Sequence, residues 1–147
     1  MSIPSECLAR LNDPVLGPAK FRMLGRATNL AALRGVPPKA LPAGFLFMDD
    51  EEGEENERGT GPVLQRAEGF VTLLIIADDK SDARGGAVDD LLEELKWEAR
   101  RRLVGFEPAS GKGPLTFRSG RTVDFAAGVV WWEERYAVDF YIEEEQA

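Results

Sequence analysis

The sequence predicts one α+β domain spanning residues 1–147, a mixed or antiparallel β-sheet with a long amphipathic helix at about 83–104 and shorter helices packed on one sheet face. Three patterns carry that reading. Val88, Leu91, Leu92, Leu95, Ala99 and Leu103 recur at steps of three and four, which puts apolar groups along one side of a helix. The second half of 63–77 (VLQRAEGFVTLLIIA) is a nearly unbroken apolar run, the composition of a central strand covered on both faces, or on one face by a helix. Residues 129–142 alternate: Glu134, Tyr136, Val138, Phe140 and Ile142 share one face, and Trp131, Glu133, Arg135, Ala137, Asp139 and Tyr141 share the other, as in one long strand with an apolar side.

The remaining elements follow in order. Leu8 and Leu11 stand at helical spacing after Ser5, a capping residue type, so 5–13 reads as a short helix that Asp13-Pro14 ends. Residues 20–25 (KFRMLG) alternate as a strand. Thr28 or Asn29 caps a second short helix through Leu33, closed by Gly35 and Pro37-Pro38. Phe45 to Met48 is a strand. Beyond it, the acidic stretch 49–57 and Arg58-Gly59-Thr60-Gly61-Pro62 combine like-charge repulsion with chain breakers, which predicts a mobile acidic loop at about 49–61. Residues 78–82 turn the chain into the long helix. Asp89, Asp90, Glu93 and Glu94 lie early in that helix and Arg100 to Arg102 late, complementing its dipole. After Gly105 and a Gly-rich loop at 110–113, two short strands are expected at 115–118 and 121–125 before the final long one.

Composition narrows the chemistry. A chain of 147 residues buries about 70% of its extended surface, enough for one core without disulfides or metals. With 44% hydrophobic and 30% charged residues it reads as an ordinary globular protein, and no apolar run approaches the roughly 20 residues that span a bilayer. The first residues lack a basic and an apolar signal region, so the chain is expected to stay in the cytoplasm where it is made. Cys7 is the only cysteine, which rules out an internal disulfide. Histidine is absent, and with it Ser-His or Cys-His nucleophile pairs, imidazole ligands and ordinary zinc sites. Carboxylate-only magnesium or calcium chemistry and Lys- or Tyr-based catalysis stay open. A net charge of −8 disfavours general nucleic-acid binding, which depends on neutralising phosphates.

No pattern points to catalysis, a cofactor or a metal. Asp49, Asp50, Glu51, Glu52, Glu54, Glu55 and Glu57 invite a calcium reading, but Gly53 arrives one residue early for an EF-hand loop, and a solvated segment fits better. Gly85-Gly86 and Lys112 lack the spacing of a phosphate loop. Arg100 to Arg102 is the only basic cluster; it suits the C-terminal turn of a helix better than a phosphate contact. Trp131-Trp132 is an adjacent pair on a strand, so one ring faces away from the core, either onto a partner or under the chain's own helices. Arg121, Trp131, Trp132, Arg135 and Tyr141 are the interface candidates.

From Val63 onward the chain resembles the tail-terminator proteins of long-tailed bacteriophages. Val63-x-Gln65 precedes the apolar strand ending Leu74-Ile75-Ile76. Asp82-Ala83-Arg84-Gly85-Gly86-Ala87 opens a helix with a Leu-Leu-Glu-Glu-Leu body that closes on Gly105-Phe106-Glu107-Pro108. Phe117-Arg118-x-Gly120-Arg121 then precedes Gly128-Val129-Val130-Trp131-Trp132-Glu133-Glu134-x-Tyr136-x-x-Asp139-Phe140. Leu41-Pro42-Ala43-Gly44-Phe45 adds weaker likeness upstream. Phe106 departs from a common Trp, and the stretch 49–57 is unusually acidic. The resemblance implies a non-enzymatic virion protein: a homo-hexameric ring on the head-proximal end of the tail tube that blocks further tube growth and docks the head connector, with DNA passing through unbound. Acidic groups lining the lumen, or its rim, would repel that DNA. Another neck or tail component is the nearest rival, and a small carboxylate-dependent enzyme or ligand-binding domain the more distant one.

Overall fold

A computed structural model describes residues 2–35, 40–78, 86–126 and 128–144. The first helix, α1 (Ile3–Leu11), starts earlier than its pattern suggests. Ser2, rather than Ser5, supplies the cap: its hydroxyl accepts the Ser5 N–H at 3.3 Å. Pro4 fits in the first turn, where no N–H is needed. A short 3₁₀ turn (Pro14–Leu16) follows. Strand β1 (Met23–Arg26) begins later than residue 20, because the Lys20 N–H donates to the Glu98 carboxylate at 3.0 Å instead of to a strand. The second helix, α2 (Leu30–Gly35), is capped by Asn29, whose side chain accepts the Ala32 N–H at 2.9 Å. Pro37 and Pro38, and most of the expected 78–85 turn and helix start, lie outside the described residues.

Strands β2 (Ala43–Asn56) and β3 (Leu64–Asp78) then form a long antiparallel hairpin, and α3 (Gly86–Leu103) crosses back to β4 (Thr116–Ala126) and β5 (Val129–Glu143). The sheet order is β1-β2-β3-β5-β4, parallel between β1 and β2 and antiparallel elsewhere, so the domain is α+β with a mixed sheet.

Two expectations are corrected. Residues 49–56 are strand, not loop: Asp49 pairs with Phe70, Glu52 with Glu68 and Asn56 with Gln65. The ladder satisfies the backbone while the carboxylates stand in water, where their mutual repulsion is weak and screened. Only the turn after Asn56 remains, held by Glu57 N–H on the Leu64 carbonyl at 2.8 Å. The two short strands near 115–125 are likewise one, β4, continuous through Ser119-Gly120. Gly120 permits this because a Cβ there would lie 2.7 Å from the Trp132 ring and 2.6 Å from a Glu134 oxygen.

Val71 to Ala77 are buried on both sides of β3. On one face Leu73 and Ile75 pack with Leu11 of α1 and with Leu92, Leu95 and Leu103 of α3. On the other, Leu74 and Ile76 pack with Phe45, Phe47 and Leu33 of α2. The apolar run is thus explained, and among the described residues α2 is the helix set on the face opposite α1 and α3. No helix among the described residues is long and apolar enough to cross a membrane.

Cys7 sits fully buried on α1, and burial, with Glu6 beside it, pushes its thiol up to about 12. Burial also raises the Tyr136 phenol well above its usual value, with Glu134 adding to the effect. Both groups therefore keep their protons in the folded state at pH values where the unfolded chain releases them. Their contribution is complete below the unfolded thiol value of about 8.5 and is lost as pH rises toward the folded values. The urea midpoint is expected to fall between pH 8 and pH 11, and Cys7 to react with a thiol reagent at pH 8 only on unfolding. Rapid labelling of the folded protein would contradict this placement.

Candidate assembly surface

Alternation along β5 directs Trp132, Glu134 and Tyr136 toward α3, where Lys96 and Arg100 stand one turn apart. Glu134 is fully buried and both of its oxygens are engaged. Arg100 donates through Nε at 2.7 Å to Oε1 and through Nη2 at 3.0 Å to Oε2, a bidentate fork. The Trp132 indole N–H donates at 2.9 Å and the Tyr136 hydroxyl at 3.3 Å. Hydrogen bonding to Glu134 raises the Arg100 pKa, so the guanidinium stays charged. Arg100 also lies over the Phe117 ring, 4.5 Å from its centre, and Lys96 over Trp132 at 4.1 Å. Both oxygens of this carboxylate are thus occupied by donors of the chain itself. Its effect is to clamp β4 and β5 to the helix.

Glu93 pairs with Lys96, which lowers its pKa, and the two flank an open hollow with Asp89, Thr122, Phe125 and Trp132. Among the described residues no group of three or more acidic or cysteine side chains is placed to hold a metal.

The unusual feature of the surface is its sheet edges. No described strand covers the outer side of β4, and nearly all of its residues are exposed. On the far side β1 pairs with Ala43 to Leu46, and no described strand covers 47–56 of β2, a second open edge among the described residues. The two edges differ in character. The β2 edge carries Asp49, Asp50, Glu51, Glu52, Glu54 and Glu55 and no basic group; the β4 edge carries Arg118, Arg121 and a single Asp124. Beside β4, the exposed side chains of Trp97, Val104 and Phe117 form an apolar groove edged by Arg101.

The interface candidates are not one patch. Trp131 packs in the α2-side cluster and Trp132 in the α3-side cluster, so each ring is half covered by the chain itself. Arg121 is exposed and reaches Glu133 at 3.2 Å; Arg135 reaches Asp50 at 3.1 Å; Tyr141 is exposed. The basic run divides: Arg100 goes to Glu134 and Arg102 to backbone carbonyls, while Arg101 alone points outward. Trp97, Phe117 and Phe125 are surface groups that the sequence does not single out, although Trp97 falls off the apolar stripe of α3, which is a legible signal of outward placement.

Two unlike open sheet edges on one α+β subunit are surfaces suited to assembly with other subunits. The chain is a member of the phage tail terminator protein family, whose model matches residues 4–146, and it is a structural component of a phage tail. In solved structures it is similar to a chain of the virion of a native gene transfer agent particle, at 16% identity and a TM-score of 0.57, covering 98% of this chain and 96% of that one. No curated protein matches it.

Proposed function

We propose that the protein forms a homo-hexameric ring on the head-proximal end of the tail tube, stops tube polymerisation and presents the docking surface for the head connector. The observation that carries this is the pair of unlike open edges on one subunit. Two different patches make a heterologous interface, which closes into a ring when the rotation between copies permits. Membership of the tail terminator family supports a place at the end of the tube. DNA passes through the lumen without specific contacts, consistent with a net charge of −8.

Light scattering and negative-stain imaging of the purified protein, alone and with tube subunits, test the reading. Rings, or discs at one end of short tubes, are the expected result. In a null mutant phage the tails should be overlong and unattached to heads. Free tails of normal length would point instead to a head-completion role, and a monomer that never meets tube ends would overturn the proposal.

A further inference from the structure

We propose that neighbouring copies join by antiparallel pairing of β4 of one copy with residues 47–56 of β2 of the next, so that the sheets continue around the ring. The inference rests on the ring reading above and adds which strands meet, and in what register.

Both edges are open over similar lengths: β4 has 11 residues, and the uncovered part of β2 runs from Phe47 to Asn56. Direction follows from the topology. The antiparallel steps β2-β3, β3-β5 and β5-β4 leave β4 running opposite to β2. A rotation about an axis roughly along the strands preserves strand direction, so β4 meets the next copy's β2 antiparallel. Closing the sheet in this way removes both edges.

Register follows from the bulges. β4 is irregular between Phe117 and Ser119 and between Thr122 and Asp124; β2 is irregular between Asp49 and Glu51 and between Gly53 and Asn56. When Phe125 is set opposite Met48 of the next copy, the Thr122/Asp124 bulge falls opposite the Asp49/Glu51 bulge, and the Phe117/Ser119 bulge opposite 54–56. Bulges bend and over-twist a strand, so edges that bulge at different points do not pair over their full length, whereas these coincide.

The same register matches the faces. Phe125 lies on the α3 side, opposite Val130, and Met48 packs against the α3-side cluster. Arg121, opposite Glu133, and Glu52, opposite Glu68, lie on the other side. Arg121 then stands opposite Glu52 and Arg118 opposite Glu55, each an opposite-charge cross-strand pair. Asp124 opposite Asp49 is the one like-charge pair, with Arg135 3.7 Å from Asp49 in the same subunit. The acidic segment is thereby assigned to the joint between copies rather than to the lumen.

Two kinds of variant test this in the full chain. Arg118→Glu with Arg121→Glu should convert rings to monomers, as should Glu52→Arg with Glu55→Arg. Mixing the two proteins should restore assemblies that contain both. Glu52 and Glu55 are exposed, so Glu52→Arg with Glu55→Arg should melt close to the parent, whereas Arg121 pairs with the buried Glu133 and the arginine variant should melt somewhat lower while staying folded enough to join the mixed assemblies. A Thr122→Cys, Glu51→Cys double variant, oxidised with copper phenanthroline, should give a covalent ladder of oligomers up to the closed ring, which reducing agent collapses to one band. Rings that persist in both charge variants, or a cysteine pair that yields no ladder while rings are visible, would overturn the pairing and leave the ring intact. Absence of rings from the parent protein, alone or with tube subunits, would instead remove the reading on which it rests.

Discussion

Glu134→Ala is expected to lower the melting temperature by about 10 °C, from a loss of about 3–5 kcal/mol in a chain of this size. The size follows from what the substitution leaves behind. Arg100, whose side chain is 18% exposed, would keep its charge and lose both carboxylate oxygens. The Trp132 N–H and the Tyr136 hydroxyl would lose the acceptor that each now has. Glu134→Gln keeps the shape and one acceptor oxygen, so its loss should be smaller. The double replacement Glu134→Leu, Arg100→Met should recover much of the single-variant loss, because it removes both charges together. Thermal melts of the parent, the Glu134→Leu and Arg100→Met single variants and the double variant form a double-mutant cycle. If the two single losses simply add, Glu134 and Arg100 are not coupled and the clamp between β5 and α3 is misassigned.

That clamp also marks where sequence reasoning reaches its limit. Alternation alone places Glu134 on the apolar face of β5 with Tyr136, Val138 and Phe140, as the fold does. A carboxylate on such a face needs a partner, but the partner lies 34 residues away on another element, and periodicity carries no information on pairings across elements. The long helix and the central strand are legible because their patterns repeat over many residues and reflect burial: Val88, Leu92, Leu95, Ala99 and Leu103 are all in the core. The acidic segment reads as loop because composition is a poor guide to conformation where the backbone has a neighbour. Its backbone is paired along β3, and the charge affects only side chains that remain in water. Gly120 similarly suggests a break between two strands. In the fold it is the position where Trp132 and Glu134 lie over the backbone of an edge strand. The edges themselves are not legible, since whether a strand has a neighbour depends on sheet order, which pattern does not encode. Among the interface candidates, Arg121 does fall on an open edge, while Trp131 and Trp132 are divided between the two faces by the same alternation that makes them conspicuous.

Arg102→Ala should cost about as much as Glu134→Ala, and for a related reason. Arg102 is buried at the end of α3, where Nη1 donates to the Leu11 carbonyl at 2.6 Å and Nη2 to the Gly17 carbonyl at 2.8 Å and the Leu16 carbonyl at 3.3 Å. These carbonyls end α1 and the 3₁₀ turn after it, so one side chain supplies the donors that two chain ends lack. Glu98, one turn back on α3 and also buried, has Arg102 3.9 Å away and would lose a compensating charge with it. Removal therefore strands three acceptors and leaves the Glu98 carboxylate with the Lys20 N–H but without its nearby charge, for a loss of about 3–5 kcal/mol. Lysine should rescue little, because a single ammonium cannot reproduce the planar fork that spans separate carbonyls. Arg101→Ala, one residue earlier and exposed, should change stability by no more than about 0.5 kcal/mol. Hydrogen exchange locates the effect: amides of residues 12–17 should lose protection in Arg102→Ala, while those of β3 should follow only the global loss. Equal losses for Arg101→Ala and Arg102→Ala would mean that the run acts through its summed charge at the helix end. A loss confined to Arg102→Ala, with faster exchange at 12–17, would mean that it acts through the three carbonyls.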